Sequence, residues 1–253
     1  MLEIQSLSKS FEDTLVIANC SFRVETGQSM SVLGRSGCGK TTLLKMLAGL
    51  IAPDAGKVLI DGKDITGTPA HLRHMVYLPQ EALLFPHLDV CENIAFGLRV
   101  RKKSNRVIQD EVRRMLEQLG LSDKLRSRPY ELSGGERRRV SFGRSLITQP
   151  AVLLLDEPFE NLDPETRTDM QKLYRKLSAD YHITSVFVTH NLKEAIVMGD
   201  HISTLKNGQL HTYNDVHSFI SDPASGASDE MAFWNQFSEK NTLDNQKSPE
   251  YLK

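Results

Sequence analysis

Long apolar runs, paired cysteines and an excess of either charge are all missing from this chain. The longest apolar run is the short "AVLLL" from Ala151 to Leu155, far below the ~20 residues that a bilayer-spanning helix needs. The N-terminus "MLEIQSLSKSF" carries charge early and has no apolar stretch, so it does not read as a signal peptide; any membrane role has to come through a partner. Three cysteines occur, Cys20, Cys38 and Cys91. They are widely spaced with no Cys-x-x-Cys pair, which excludes a disulfide framework or a zinc knuckle and fits a reducing, cytoplasmic setting. Basic residues number 31 against 32 acidic ones, a net charge of -1, so no overall basic excess argues for nucleic acid or an anionic lipid surface.

What remains is an ordinary globular composition, with 40% hydrophobic and 25% charged residues. The 253 residues suffice for one large domain or two small ones. The segments "LEIQSL", "LVIANCSFRV", "QSMSVLG" and "KVLIDG" read as short strands separated by turns, interrupted by one helix, "KTTLLKMLAGL". Residues 89–146 change to helical patterns; "DEVRRMLEQLGL" aligns Val112, Met115, Leu116 and Leu119 on one face, with Gly120 as a stop. Strands and helices then alternate again: "AVLLLDEP", "DPETRTDMQKLYRKLSADY", "ITSVFVTH", "NLKEAIVMG" and "HISTLKNG". Such alternation predicts an α/β core around a mostly parallel sheet with a helical subdomain inserted. The polar tail after Asp222 is expected to be a short extension disordered at its end, with the Trp234 segment folding back onto the core.

"GRSGCGKTT", Gly34 to Thr42, fits the pattern G-x-x-x-x-G-K-[ST] after an apolar strand and before a helix. Gly34, Arg35, Ser36, Gly37, Cys38 and Gly39 form a loop whose N–H groups can turn toward phosphate oxygens at a helix N-terminus. Lys40 reaches the β- and γ-phosphates, the Thr41 hydroxyl suits Mg²⁺, and Thr42 continues the turn. Cys38 reads as a small filler, or as a thiol whose alkylation would block the phosphates. In "VLLLDEP", Asp156 and Glu157 follow a buried strand; Asp156 suits the Mg²⁺ shell and Glu157 a general base for water. The guanine-reading N-K-x-D motif is missing, so a GTPase is disfavoured.

In "YELSGGERRRV", Ser133 and Glu136 have capping-box spacing. The same residues carry a resemblance: "LSGGE" is similar to the signature of the ATP-binding cassette family. Gln80 then looks like that family's Q-loop glutamine, Asp163 in "NLD" like its D-loop aspartate, His190 like its switch histidine, and Phe11 like the aromatic that stacks on adenine. The resemblance covers about residues 1–221. It implies a P-loop NTPase fold with an antiparallel β subdomain and a helical subdomain at about 89–146, leaving 222–253 as an extension. It also implies ATP and Mg²⁺ as ligands, with Gln80 near the metal, and a head-to-tail pairing with a second copy or a homologous ATPase. Ser133, Gly134, Gly135 and Glu136 of each chain would meet the other chain's ATP.

The region "LLFPHLDVCENIAFGL" is similar to importers of this family, implying integral-membrane permease subunits and, indirectly, a periplasmic solute-binding protein, at the cytoplasmic face of the inner membrane. An exporter subunit or a non-transport cassette ATPase is the alternative. Leu83, Leu84 and Phe85 either dock a permease helix or pack within the helical subdomain. About thirty residues after Asp222 are too few for a regulatory barrel, so the chain resembles the family's shorter members. It departs from the family at Glu136, Glu160-Asn161, Arg35, Pro79 and Asn191, none of which removes a reacting group. The Arg137-Arg138-Arg139 run reads as a solvated helix face.

Overall fold

The structure, a computed structural model, describes residues 1–228; the Trp234 segment and the end of the tail lie outside the described residues. The chain divides into two compact units, Met1–Thr212 and one beginning at Tyr213. The first contains β1 (Leu2–Phe11), β2 (Thr14–Val24), β3 (Ser29–Leu33), α1 (Lys40–Ala48), β4 (Ala55–Ile60), β5 (Lys63–Asp64) and β6 (Met75–Leu78). These are followed by α2 (Val90–Val100), α3 (Asn105–Leu119), α4 (Gly134–Leu146), β7 (Val152–Asp156) and α5 (Pro164–Asp180). Then come β8 (Ser185–Thr189), α6 (Leu192–Met198), β9 (His201–Lys206) and β10 (Gln209–Tyr213). In the second unit, α7 (Val216–Ser221) is capped by Asp215, and the Tyr213 hydroxyl donates to Asp222 at 2.7 Å.

Two sheets form. β2-β1-β4-β5 is antiparallel. In β10-β9-β3-β8-β7-β6, strand β3 runs parallel to β8 and β9, and β7 parallel to β8 and β6. The expected α/β core with a mostly parallel sheet and an antiparallel sheet is therefore present. Every residue of β7 is buried, because successive side chains enter opposite layers: Val152 and Leu154 join the core that contains α1, and Leu153 and Leu155 join the core under α2–α4. An uninterrupted apolar run is what a strand covered on both faces requires.

The helical segment folds as its pattern dictates. Val112, Met115, Leu116 and Leu119 are all buried, and Gly120 ends α3 in the left-handed region at φ 65°. Phe142 of α4 stacks on Phe159 at 6.1 Å, and Phe159 meets Phe187 of β8 at 5.9 Å. These fully buried rings anchor the loop after β7 from both sides. Strands β6 and β10 were not legible in the sequence. β6 has four residues between His74 and Pro79, and it is a strand because β7 offers it a ladder. β10 is joined to β9 by Asn207-Gly208, both at positive φ, as a type I′ hairpin demands.

Candidate functional site

Four parallel strands deliver their carboxyl ends to one place, where open α/β sheets bind ligands. β3 leads into Gly34–Thr42, β6 into Pro79-Gln80, β7 into Asp156-Glu157 and β8 into Thr189-His190. Between them lies a cavity of about 440 Å³ lined by Phe11, Val16, Ser36, Gly37, Gly39, Lys40, Thr41, Thr42, Gln80, Glu157 and Glu160. Gly39 caps α1 at φ 107°, a backbone conformation that a side chain would strain. The first turn of α1 thus opens its N–H groups to the cavity. At the other end of α1, the buried Arg73 donates to the carbonyls of Met46 and Leu47 at 2.9 and 2.8 Å, a cation at the helix's negative pole.

Lys40 is 5% exposed, and its ammonium donates to the Gly34 carbonyl at 2.7 Å and pairs with Glu157 at 3.2 Å. Glu157 also contacts His190 Nδ1 through its second oxygen, so these two candidate residues are in direct contact. Its own backbone sits at φ 42°, a region that non-glycine residues enter at a cost and that clusters at functional sites. The Thr41 hydroxyl donates to Asp156 at 3.1 Å. Together these offer the hard oxygen ligands that suit Mg²⁺. The other Asp156 oxygen accepts from the Tyr77 hydroxyl at 2.7 Å; burial, then the Asp156 carboxylate, push the Tyr77 pKa up. Gln80 donates through its amide to Glu160. Burial, then the Glu157 charge, raise the Glu160 carboxyl.

Phe11 stands at the rim, 45% exposed, with the Lys9 ammonium 5.5 Å from its ring centre. Gly34, Arg35 and Cys38 belong to the loop but do not line the cavity. Cys38 packs against the core beside Gly34, and burial raises its thiol pKa, which disfavours the thiolate that alkylation needs. Ser133, Gly134, Gly135 and Glu136 do not line the cavity either. Ser133 caps α4: the Glu136 N–H donates to Ser133 Oγ at 3.2 Å, and the Ser133 N–H to the Glu136 carboxylate at 2.7 Å. That Ser133 bond, the main cause, holds the Glu136 pKa below its usual value. Its charge is therefore engaged by its own helix cap and by the Lys124 ammonium 3.8 Å away. Asp163 caps α5, accepting from the Thr166 N–H at 3.0 Å, and Asn191 caps α6, accepting from the Glu194 N–H.

The arginine run departs from expectation. Arg138 is 3% exposed, not part of a solvated face. It donates to the carbonyls of Pro158 at 2.6 Å, Pro79 at 3.0 Å and Gln80 at 2.8 Å. The sequence held a signal: Arg138 shares the helical stripe of Phe142 and Ser145, both buried. Tyr77, Arg73 and Asn93 were also missed. Asn93, fully buried, accepts from the Phe85 N–H and donates to the carbonyls of Phe85, Leu88 and Asp89. After Gln80, Leu83 is 59% exposed, whereas Leu84 packs on the core and Phe85 lies 4.5 Å from Phe96 between ring centres.

A family model described as ABC transporter matches residues 17–160, more than half of the chain. A molybdate/tungstate import ATP-binding protein of Pyrococcus horikoshii is 40% identical over 225 residues, covering 89% of this chain and 65% of that relative. Its namesake in Thermococcus kodakarensis is 40% identical over 225 residues, 68% of its length. A spermidine/putrescine import ATP-binding protein of Pasteurella multocida is 39% identical over 223 residues, 60% of its length. The chain thus spans 60–68% of the length of these curated relatives. With the phosphate loop, the acidic strand end and the signature turn in one chain, the protein belongs to the ABC transporter family.

Proposed function

We propose that this chain is the ATP-hydrolysing subunit of a solute importer, working head to tail with a second ATPase chain beneath integral-membrane permease subunits. The observation that carries the reading is the convergence of Lys40, Thr41, Gln80, Asp156, Glu157 and His190 on one set of strand ends while the Ser133–Gly135 turn stays off that cavity. A signature off its own chain's cavity can serve another chain's nucleotide. The names of the relatives, all import ATP-binding proteins, support import. No helix among the described residues is long and apolar enough to cross a membrane, so membrane coupling falls to partner subunits at the cytoplasmic face.

The residues divide the work by chemistry. The Gly34–Thr42 N–H groups and Lys40 hold the phosphates, and Phe11 offers its ring to the base. Thr41 and Asp156, with Gln80 beside them, would hold Mg²⁺, which when bound neutralises charge between the β- and γ-phosphates. The Glu157 carboxylate accepts the proton of the attacking water, and His190 orients the γ-phosphate. Lys40 must exchange Glu157 for phosphate when ATP enters, which frees the base. Across the interface, the Ser133 hydroxyl and the first N–H groups of α4 meet the γ-phosphate.

Purified protein is expected to hydrolyse ATP with a specific activity that rises with protein concentration, because each site needs two chains. Strict proportionality from dilute to concentrated protein, without a pre-existing dimer, refutes shared sites. Glu157→Gln should slow turnover by roughly 10²–10⁴; wild-type turnover removes Glu157 from its role. A permease and a solute-binding protein encoded beside this chain support import, and a stand-alone gene reopens the choice between import and the alternatives.

A further inference from the structure

The turn after β7 carries one acid more than the proposed hydrolysis uses. Glu157 accepts the proton of the attacking water there, whereas Glu160 has no part in that step and is a position where the chain departs from its family. The Glu160 N–H donates to the Glu157 carbonyl at 3.2 Å, a tight turn that sets both side chains on the cavity wall. His190, from the end of β8, meets Glu157 there. One imidazole nitrogen and one oxygen from each carboxylate all lie within 4.8 Å of one another. Among the described residues, no other three His, Cys, Asp or Glu side chains converge this closely.

Ligands held by one Zn²⁺ at tetrahedral angles stand about 3.4 Å apart, so the widest pair has to close by at most about 1.4 Å. Side-chain torsions supply a movement of that size. Both carboxylates are already aimed: Lys40 holds one Glu157 oxygen at 3.2 Å, and the Gln80 amide holds one Glu160 oxygen. Outer partners orient the ligands of metal sites in the same way. Glu157 and Glu160 are half-buried and His190 is exposed, so an ion can enter from solvent, and three protein ligands leave a fourth position for water. The donor set selects the ion. An imidazole with two carboxylates suits Zn²⁺ and its neighbours, whereas Mg²⁺ asks for an octahedron of oxygens. Lys40 offsets one of the two carboxylate charges, so the charge count fits micromolar rather than nanomolar affinity.

We propose that Glu157, Glu160 and His190 form a binding site for a divalent transition metal of the zinc class, other than the Thr41–Asp156 position proposed for Mg²⁺, and that an ion there holds the ATPase inactive. The bound ion occupies the carboxylate that accepts the water's proton and the imidazole that orients the γ-phosphate, so both leave the reaction together. The inhibition rests on the proposed hydrolytic function; the binding of the ion does not.

The test titrates the full chain, free of nucleotide and with Mg²⁺ in excess, with Co²⁺, a coloured ion that takes zinc-type ligands. Wild type should bind one Co²⁺ with a visible absorption band, and Zn²⁺ should displace it. Glu160→Gln keeps the side chain's length and removes its charge. It should bind Co²⁺ at least about tenfold more weakly, the loss that removing even an outer partner of a ligand causes. Binding of a non-hydrolysable ATP analogue reports that the variant is folded; if Glu160→Gln fails that check, His190→Ala serves in its place with the same loss expected. With free Zn²⁺ held by a metal buffer, wild-type ATPase activity should fall as the site fills, and half-inhibition of Glu160→Gln should need at least about tenfold more Zn²⁺. Equal Co²⁺ affinity in wild type and a folded variant, no Co²⁺ bound at micromolar concentrations, or a sulfur-to-cobalt charge-transfer band placing the ion on a cysteine overturns the site. Glu160-dependent Zn²⁺ binding that leaves ATPase activity intact overturns the inhibition. A chain that binds Co²⁺ through Glu160 but hydrolyses no ATP refutes the hydrolytic function and leaves the site standing.

Discussion

Replacing Tyr77 by phenylalanine isolates one hydroxyl. The Tyr77 oxygen lies 2.7 Å from an Asp156 oxygen, and Asp156 is 5% exposed, so water cannot readily take the donor's place. The ring is retained, so no cavity forms. A hydrogen bond to a charged group is worth about 1.5–3 kcal/mol. Losing the partner that orients a metal-ligating carboxylate costs about 10–100-fold in metal affinity, which converts to about 1.4–2.8 kcal/mol at 1.4 kcal/mol per tenfold. The two routes agree. Tyr77→Phe should therefore raise the Mg²⁺ concentration for half-maximal ATPase activity by about 10–100-fold, with kcat at saturating Mg²⁺ nearly unchanged. Urea unfolding without Mg²⁺ should show a loss of about 1.5–3 kcal/mol. An unchanged Mg²⁺ dependence would refute the reasoning, because Asp156 would then not need Tyr77 to aim it.

Two further outcomes follow from contacts in the fold. A Cβ on Gly135 would stand 2.8 Å from Thr166 Cγ2, so Gly135→Ala should destabilise by about 1–3 kcal/mol in thermal or urea unfolding, and adding Thr166→Ser should recover most of it; additive losses would show that another contact is responsible. Glu160, whose folded pKa is raised, contributes stability below its unfolded value of about 4.3 and loses it as pH rises through the folded value. Glu160→Gln should accordingly raise urea stability at neutral pH and leave it unchanged near pH 4; an equal gain at both refutes the titration argument.

The fold class was legible because hydrophobic period and turn residues are local. Leu43, Leu44 and Leu47 repeat as a helix must, and "VLLLD" has the unbroken apolar character of a strand covered on both faces. The phosphate loop was legible for the same reason, since Gly34 to Thr42 form one continuous turn whose chemistry is written in order. The capping box of Ser133 and Glu136 was read from three-residue spacing and is present with both bonds. Strand β6 escaped because a four-residue strand acquires its hydrogen bonds from β7, which lies more than seventy residues away in the chain.

The sequence by itself determined most of the elements, the alternation of strands and helices around a mostly parallel sheet, and the residue types that can hold nucleotide phosphates. Tertiary structure alone decided which charges are free. It brought Lys124 to 3.8 Å from Glu136, tied Glu157 to Lys40 and His190, and set Glu160 against Gln80. It buried Arg138 among three carbonyls while its neighbours Arg137 and Arg139 stayed partly exposed. The physical reason is that a charge's role depends on its desolvation and on partners brought together by folding, and neither is a property of the residue's neighbours in the chain.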